Sequence, residues 1–337
     1  MTSFLEIKLI EPATITACIA GFSALVLASW NFYLSKKNQT DIEVLKNSLA
    51  EQKSDNDARR DYEYEAKKRL YQEYEPLLFQ LIETSINAVY RIQNLSKSVR
   101  NGDLGENGWL SRFNYYTKST IYKLFAPLAI FKLMQQKITF IDLAVDKSIG
   151  LKYKLIKQLY LCYTDDFELA RLHSPIEYDP NNISWKELRV ANPIKYCRQG
   201  LPMGLLDKTL ELFIEKEEDG KEYLISYGTF EKKIGDSYDN KSSPIHFSKE
   251  LFFMFHPVQR PILWRIIITQ LLILNILIRL GDMDLKNINE STVREILLEC
   301  NEEYMNKYMW SDDLTLINEM QQPFKVAKEY LNTRFNK

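Results

Sequence analysis

The side chains best suited to chemistry lie together in Tyr163-Thr164-Asp165-Asp166-Phe167-Glu168, with Arg171 and His173 close behind. Read as helix, this stretch puts Asp165 and Glu168 on one face, Glu168 and Arg171 on one face, and Asp166 and His173 two turns apart on a common stripe. Carboxylates and an imidazole so placed suit divalent-metal binding or general acid–base work. Asp165, Asp166, Glu168 and His173 are therefore the candidate catalytic residues, those of a metal-dependent hydrolase or nuclease. A plainer reading carries more weight: a helix end with an ordinary Glu168–Arg171 surface pair and a His173 that suits the C-terminal dipole. No HExxH spacing is met. Asp142 and Asp146 are further carboxylates whose position relative to Asp165 a single sequence does not give.

Other chemistries find less support. His246 and His256 stand beside Pro244 and Pro257, with no Gly-x-Ser-x-Gly elbow to make a nucleophilic triad. There is no P-loop, GxGxxG, kinase signature or EF-hand loop. Cys18, Cys162, Cys197 and Cys300 show neither CxxC nor Cys/His ligand spacing, so zinc and iron–sulfur sites are not indicated and no cofactor is expected. Tyr62, Tyr64, Tyr71 and Tyr74 alternate with Arg59, Arg60, Lys67, Lys68 and Arg69 in a pattern that could stack bases, but Asp55, Asp57, Asp61, Glu63, Glu65, Glu73 and Glu75 neutralise it. Over the whole chain 44 Lys+Arg meet 45 Asp+Glu, so nucleic acid is not an expected partner.

The elements that would carry these residues are helical. The 337 residues hold only 11 Gly and 11 Pro, which disfavours phosphate-binding loops and many-turned β architectures. The predicted fold is all-α with at most one small β-hairpin, in four parts. These are a short N-terminal segment (1–12), a transmembrane helix (13–35), a charged helical stalk (36–75) and a helical cytoplasmic domain (76–337).

The transmembrane expectation rests on Pro12–Ser35, 24 residues without a charge. As helix they reach about 36 Å, enough to cross a hydrocarbon core of roughly 30 Å with some tilt. Trp30, Phe32 and Tyr33 precede Lys36 and Lys37, the order expected where a helix leaves a bilayer. Thr14, Thr16, Ser23 and Ser29 dilute the hydrophobicity and are small enough to pack a partner helix. A cleaved secretory signal fits less well, because Glu6, Lys8 and Glu11 make the leading region slightly acidic. Cleavage after Ala28 would also leave three cysteines, an odd number for an oxidising compartment. Lys36, Lys37, Lys46 and Lys53 follow the span and only Lys8 precedes it, which predicts a single-pass inner-membrane protein with its C-terminal part cytoplasmic.

From Lys36 to Glu75 nine basic and ten acidic residues intersperse, as on a solvated helix braced by i,i+4 pairs. Ile42, Leu45 and Leu49 begin an a/d pattern that the apolar-poor stretch after Glu51 does not sustain. Pro76 is expected to end the stalk. An amphipathic helix follows to the glycine-rich loop Asn101–Gly108, then helices over Trp109–Phe125, Leu128–Gln136, Ser148–Leu172 and Met203–Glu215, with a short one at Ser184. A hairpin is expected between Leu212–Lys216 and Glu222–Tyr227. Ile266–Ile278 is apolar on every face but short for a span, so it predicts a buried central helix. Helices near Val293–Met309 and Asp313–Phe335 close the chain, the first with a capping box at Thr292 and the second interrupted at Pro323.

This pattern predicts a membrane-anchored interaction or sensor-effector protein without its own catalysis. The lipid bilayer, a second copy joined through the transmembrane helix and stalk, and a protein partner are the expected associates. A role in bacterial antiphage defence is an association with that architecture.

Overall fold

The computed structural model describes residues 12–138, 143, 146–164, 199–235, 243–281, 283, 288–307, 324–332 and 334. It divides into two compact units, Met1–Glu65 and Ala66–Lys337. The described residues are predominantly helical, with one two-stranded sheet, as the scarcity of Gly and Pro predicts.

Helix α1 runs from Pro12 to Arg100. In the first unit its side chains are exposed throughout, apart from Asp57, which is half-buried. In the second unit it turns one stripe inward: Leu70, Tyr74, Leu77, Leu81, Ala88, Ile92, Leu95 and Val99, spaced by threes, fours and sevens. The helix does not stop at Pro76 but continues through it. An interior proline costs roughly 3 kcal/mol, and burial of Tyr74, Leu77 and Leu81 around it supplies an offset of at least that order. The end comes at Gly102, whose φ of 75° lets its amide bond Val99 O (3.1 Å) while the Asp103 amide reaches Ser98 O (2.8 Å). That pair of bonds is a Schellman cap.

Helix α2, Tyr115–Ile138, begins later than the expected Trp109, because Asn114 caps it. The Asn114 side-chain oxygen accepts from the amides of Tyr116 (3.0 Å) and Thr117 (3.2 Å). It also passes unbroken through Pro127. Helix α3, Lys147–Leu161, is capped by Asp146 and ends eleven residues before the expected Leu172, with Cys162–Thr164 forming a turn after it.

Beyond residue 198 come α4 (Met203–Glu211), β1 (Ile214–Lys216), β2 (Glu222–Leu224), α5 (Tyr227–Gly235) and α6 (Pro244–Phe252). They are followed by α7 (Pro261–Gly281), α8 (Glu290–Lys307) and α9 (324–332). The two strands pair antiparallel with Ile214 opposite Leu224, which bears out the expected hairpin. Asn289, not Thr292, caps α8: its side-chain oxygen takes the Thr292 amide at 2.8 Å. The short helix expected at Ser184 lies outside the described residues.

The core is built around α7. Every residue from Pro261 to Leu274 is buried, so this most apolar helix is the central rod and not a second exposed span. It packs on α3 and α8, while α2 packs on α3, α4, α5 and α6. At its end Arg279 pairs with Glu299 (2.8 Å) and Glu303 of α8. Gly281 sits so close to α1 that a Cβ there would lie 2.6 Å from Ile82 Cδ1. Tyr122 of α2 stacks on Phe213, meets Tyr227 and Phe230 of α5, and donates to Ile225 O at 2.6 Å, which fixes the hairpin to the body.

Candidate membrane-facing surface and buried polar groups

Among the described residues two helices are long and apolar enough to cross a membrane, and their surroundings differ completely. In α7 the most apolar window is 89% buried, whereas in α1 none of it is. Ile15, Ile19, Phe22, Leu25, Val26, Leu27, Trp30 and Phe32 are half or more exposed, Phe22 and Leu25 at 71% and 69%. A monomeric soluble protein rarely displays so large a contiguous apolar surface. Among the polar groups there, the Thr16 hydroxyl donates to Pro12 O at 2.8 Å within its own helix. Trp30 and Tyr33 lie tilted against each other, ring centroids 6.4 Å apart, one turn before Lys36 and Lys37.

Inside the body two polar clusters stand out. In the first, Asp146 at the start of α3 accepts from Tyr71 Oη (2.7 Å), from the Ser148 amide and hydroxyl (2.9 Å each) and from the Ile149 amide (3.2 Å). Burial alone would raise its carboxyl, but the bonds from Tyr71, Ile149 and Ser148 outweigh that and hold it below the usual carboxylate range. Lys152, on the same face of α3 as Leu155, Ile156 and Leu159, is 1% exposed. Desolvation pushes its ammonium down to about 8, against the pull of Asp146. The Tyr74 hydroxyl beside this group is buried, and desolvation with the Asp146 charge pushes it far above its ordinary value. The sequence does carry a signal for Lys152, which falls three and four residues before Leu155 and Ile156 on the buried stripe.

In the second cluster Gln270, fully buried at the middle of α7, accepts from Tyr163 Oη and donates to Leu124 O, both at 2.6 Å. The carbonyl that Pro127 leaves without its helical donor is that of Lys123, so the glutamine amide is a second donor to Leu124 O beside the helical amide of Leu128. Tyr163 is wholly buried, and desolvation raises its phenol well above the ordinary value.

Asp165, Asp166, Glu168 and His173 lie outside the described residues, as does Asp142. Helix α3, whose expected extent to Leu172 would carry Asp165, Asp166 and Glu168, ends at Leu161. Their flanks are fixed: Leu201 N donates to Tyr163 O at 2.7 Å. Gln199 Oε1 accepts from the Ile262 and Leu263 amides (2.9 and 3.1 Å), capping the first turn of α7. Asp146 serves as a helix cap, and Cys162 and Cys300 are buried free thiols, the latter raised to about 11 by burial. Of the histidines, His246 begins α6, and His256, in the turn before α7, accepts from the Val258 amide at 3.3 Å. Among the described residues no group of three His, Cys, Asp or Glu is placed to hold a metal ion. Comparison with family models, with characterised proteins and with solved structures finds no match to this chain.

Proposed function

We propose that this chain is a single-pass membrane protein whose helical body is held at the cytoplasmic face of a bilayer and acts through protein or ligand contacts, without catalysis of its own. One observation carries the reading: a helix of 24 uncharged residues exposes its bulky apolar side chains, while the other apolar helix of similar length is spent on the core. Burying that exposed surface in lipid removes its contact with water at about 25 cal/mol per Å². The lysines after the span favour the cytoplasmic side for the stalk and body. The setting proposed with it is a bacterial sensor-effector of antiphage defence, supported by the architecture of anchor, charged spacer and helical body, and tested by plating phage on cells with and without the gene.

Carbonate extraction tests the anchor. The intact chain should remain with the membrane pellet. Phe22→Arg with Leu25→Arg places two guanidinium groups near mid-span at about 3 kcal/mol each and should move the chain to the supernatant. The body's unfolding should not change, because both positions are exposed. Release of the unaltered chain by carbonate contradicts the anchor.

A further inference from the structure

We infer that residues 14–60 carry one continuous face for a second copy of this chain, docked parallel and in register. The inference rests on the membrane anchor proposed above and specifies which face of that helix is used. Ile42, Leu45 and Leu49 are 52%, 61% and 55% exposed, large apolar residues on a helix face that none of the described residues of the first unit covers. They occupy successive a, d and a positions of a heptad pattern. Continued backward without a break, the same three-four alternation passes through Asn38, Ser35, Asn31, Ala28, Ala24, Gly21, Ala17 and Thr14. Every residue of the face within the uncharged span is small or is Asn31, and the bulky side chains there, Ile15, Ile19, Phe22 and Leu25 to Leu27, then Trp30 and Phe32 to Leu34, lie off it.

The change of residue type at Ser35 follows the change of solvent. In hydrocarbon, helices gain nothing from large apolar contacts that lipid does not also offer, and small residues let backbones approach. A Cβ added at Gly21 would meet nothing within 4 Å, so the groove there is open. In water, Ile and Leu knobs supply the association, and Asn at a seam position fixes register. Counted in heptads the face runs for five, from Thr14 to Leu49, with apolar knobs at Ile42, Leu45 and Leu49 and small residues or Asn before them.

The charges beside the seam select a parallel second copy. The g positions after the span are Asp41, Ser48 and Asp55, and the e positions are Lys46, Lys53 and Arg60. In a parallel pair each g residue faces the partner's e residue five positions on, which sets Asp41 against Lys46 and Asp55 against Arg60, with Ser48 facing Lys53. An antiparallel pair would oppose acid to acid and base to base. Arg60 also pairs within its own helix with Asp57 at 3.2 Å, which leaves its remaining guanidinium nitrogens for a partner.

The test is disulfide trapping of the full chain in carbonate-washed membranes, with Cys18→Ser removing the exposed native thiol. Leu45→Cys lies on the seam and Val44→Cys beside it, and the two parent residues are equally accessible at 61% and 63%, so solvent access cannot separate them. Cross-linked dimer should form about tenfold faster from Leu45→Cys, because a d position brings facing Cβ atoms within disulfide reach. Asp41→Lys with Asp55→Lys should abolish the difference, and adding Lys46→Asp with Arg60→Asp should restore it. Equal trapping at the two positions in pelleted protein overturns the face and leaves the anchor standing. Release of the chain by carbonate overturns the anchor, and the same comparison in the supernatant then decides the Ile42–Leu49 half of the face on its own.

Discussion

Replacing Gln270 by leucine keeps most of the side-chain volume but strips two bonds from the centre of the core. The Tyr163 hydroxyl loses its acceptor at 2.6 Å, whereas Leu124 O loses a second donor and keeps the Leu128 amide of its own helix. A buried polar group left without a partner costs about 1–3 kcal/mol, so Gln270→Leu should destabilise the protein by roughly that amount. Tyr163→Phe alone orphans only the glutamine oxygen and should cost about 1–3 kcal/mol. In the double variant the tyrosine hydroxyl no longer exists to be orphaned, so it should be more stable than Gln270→Leu alone, with a coupling of about 1–3 kcal/mol. Denaturant unfolding of the full chain in mild detergent, followed by tryptophan fluorescence, measures all four species, with Trp264 buried on the same helix as a reporter. A Gln270→Leu cost below about 1 kcal/mol, or strict additivity of the two changes, would refute the network.

Three further outcomes are expected from the geometry. Folding lowers the Lys152 ammonium from 10.5 to about 8, so the unfolded chain binds that proton more tightly and stability should rise as pH climbs from about 8 toward 10.5, by roughly 2–3 kcal/mol. Melting of the native chain and Lys152→Met across that window should show the rise only in the native chain; parallel curves would contradict the buried charge. Gly108→Ala should cost more than Gly102→Ala in thermal unfolding, because a Cβ at Gly108 overlaps the Asp103 carbonyl and Leu104 Cα. At Gly102 only the positive φ is lost, worth about 1–2 kcal/mol. Leu272→Arg should abolish cooperative unfolding of the body, since position 272 is fully buried, whereas Leu25→Arg should leave it unchanged.

The features legible in the sequence are those with a one-dimensional signature. An uncharged run marks the exposed helix, an all-round apolar run marks α7, clustered glycines mark the loop after α1, and Gly220 between polar and β-rich segments marks the hairpin. Misplaced boundaries trace to competition between local signals and tertiary packing. Pro76 and Pro127 read as breaks, yet burial of the neighbouring side chains keeps both helices continuous. Asn114 and Asn289 displace the helix start inferred at Trp109 and the cap inferred at Thr292, because an asparagine side chain reaching two or three amides ahead is recognised only when the following turn is known to be helical. Gln270 stands out as one of three polar residues in the apolar rod, but its partners are 107 and 146 residues distant, beyond any periodicity argument. Asp146 is conspicuous for its charge, and its role as a cap depends on the start of α3 one residue later.

Labelling from the two sides of a sealed membrane tests the central claim most directly. In a background with Cys18→Ser and Cys197→Ser, where the remaining Cys162 and Cys300 are buried, Ser3→Cys and Asn47→Cys each place one accessible thiol before or after the uncharged span, to be probed with a membrane-impermeant maleimide. A chain anchored by residues 12–35 with its body in the cytoplasm should label at position 3 in intact cells and at position 47 only after permeabilisation. Labelling of both positions from the same side would show that the helix does not cross, and labelling in the reverse order would place the body outside.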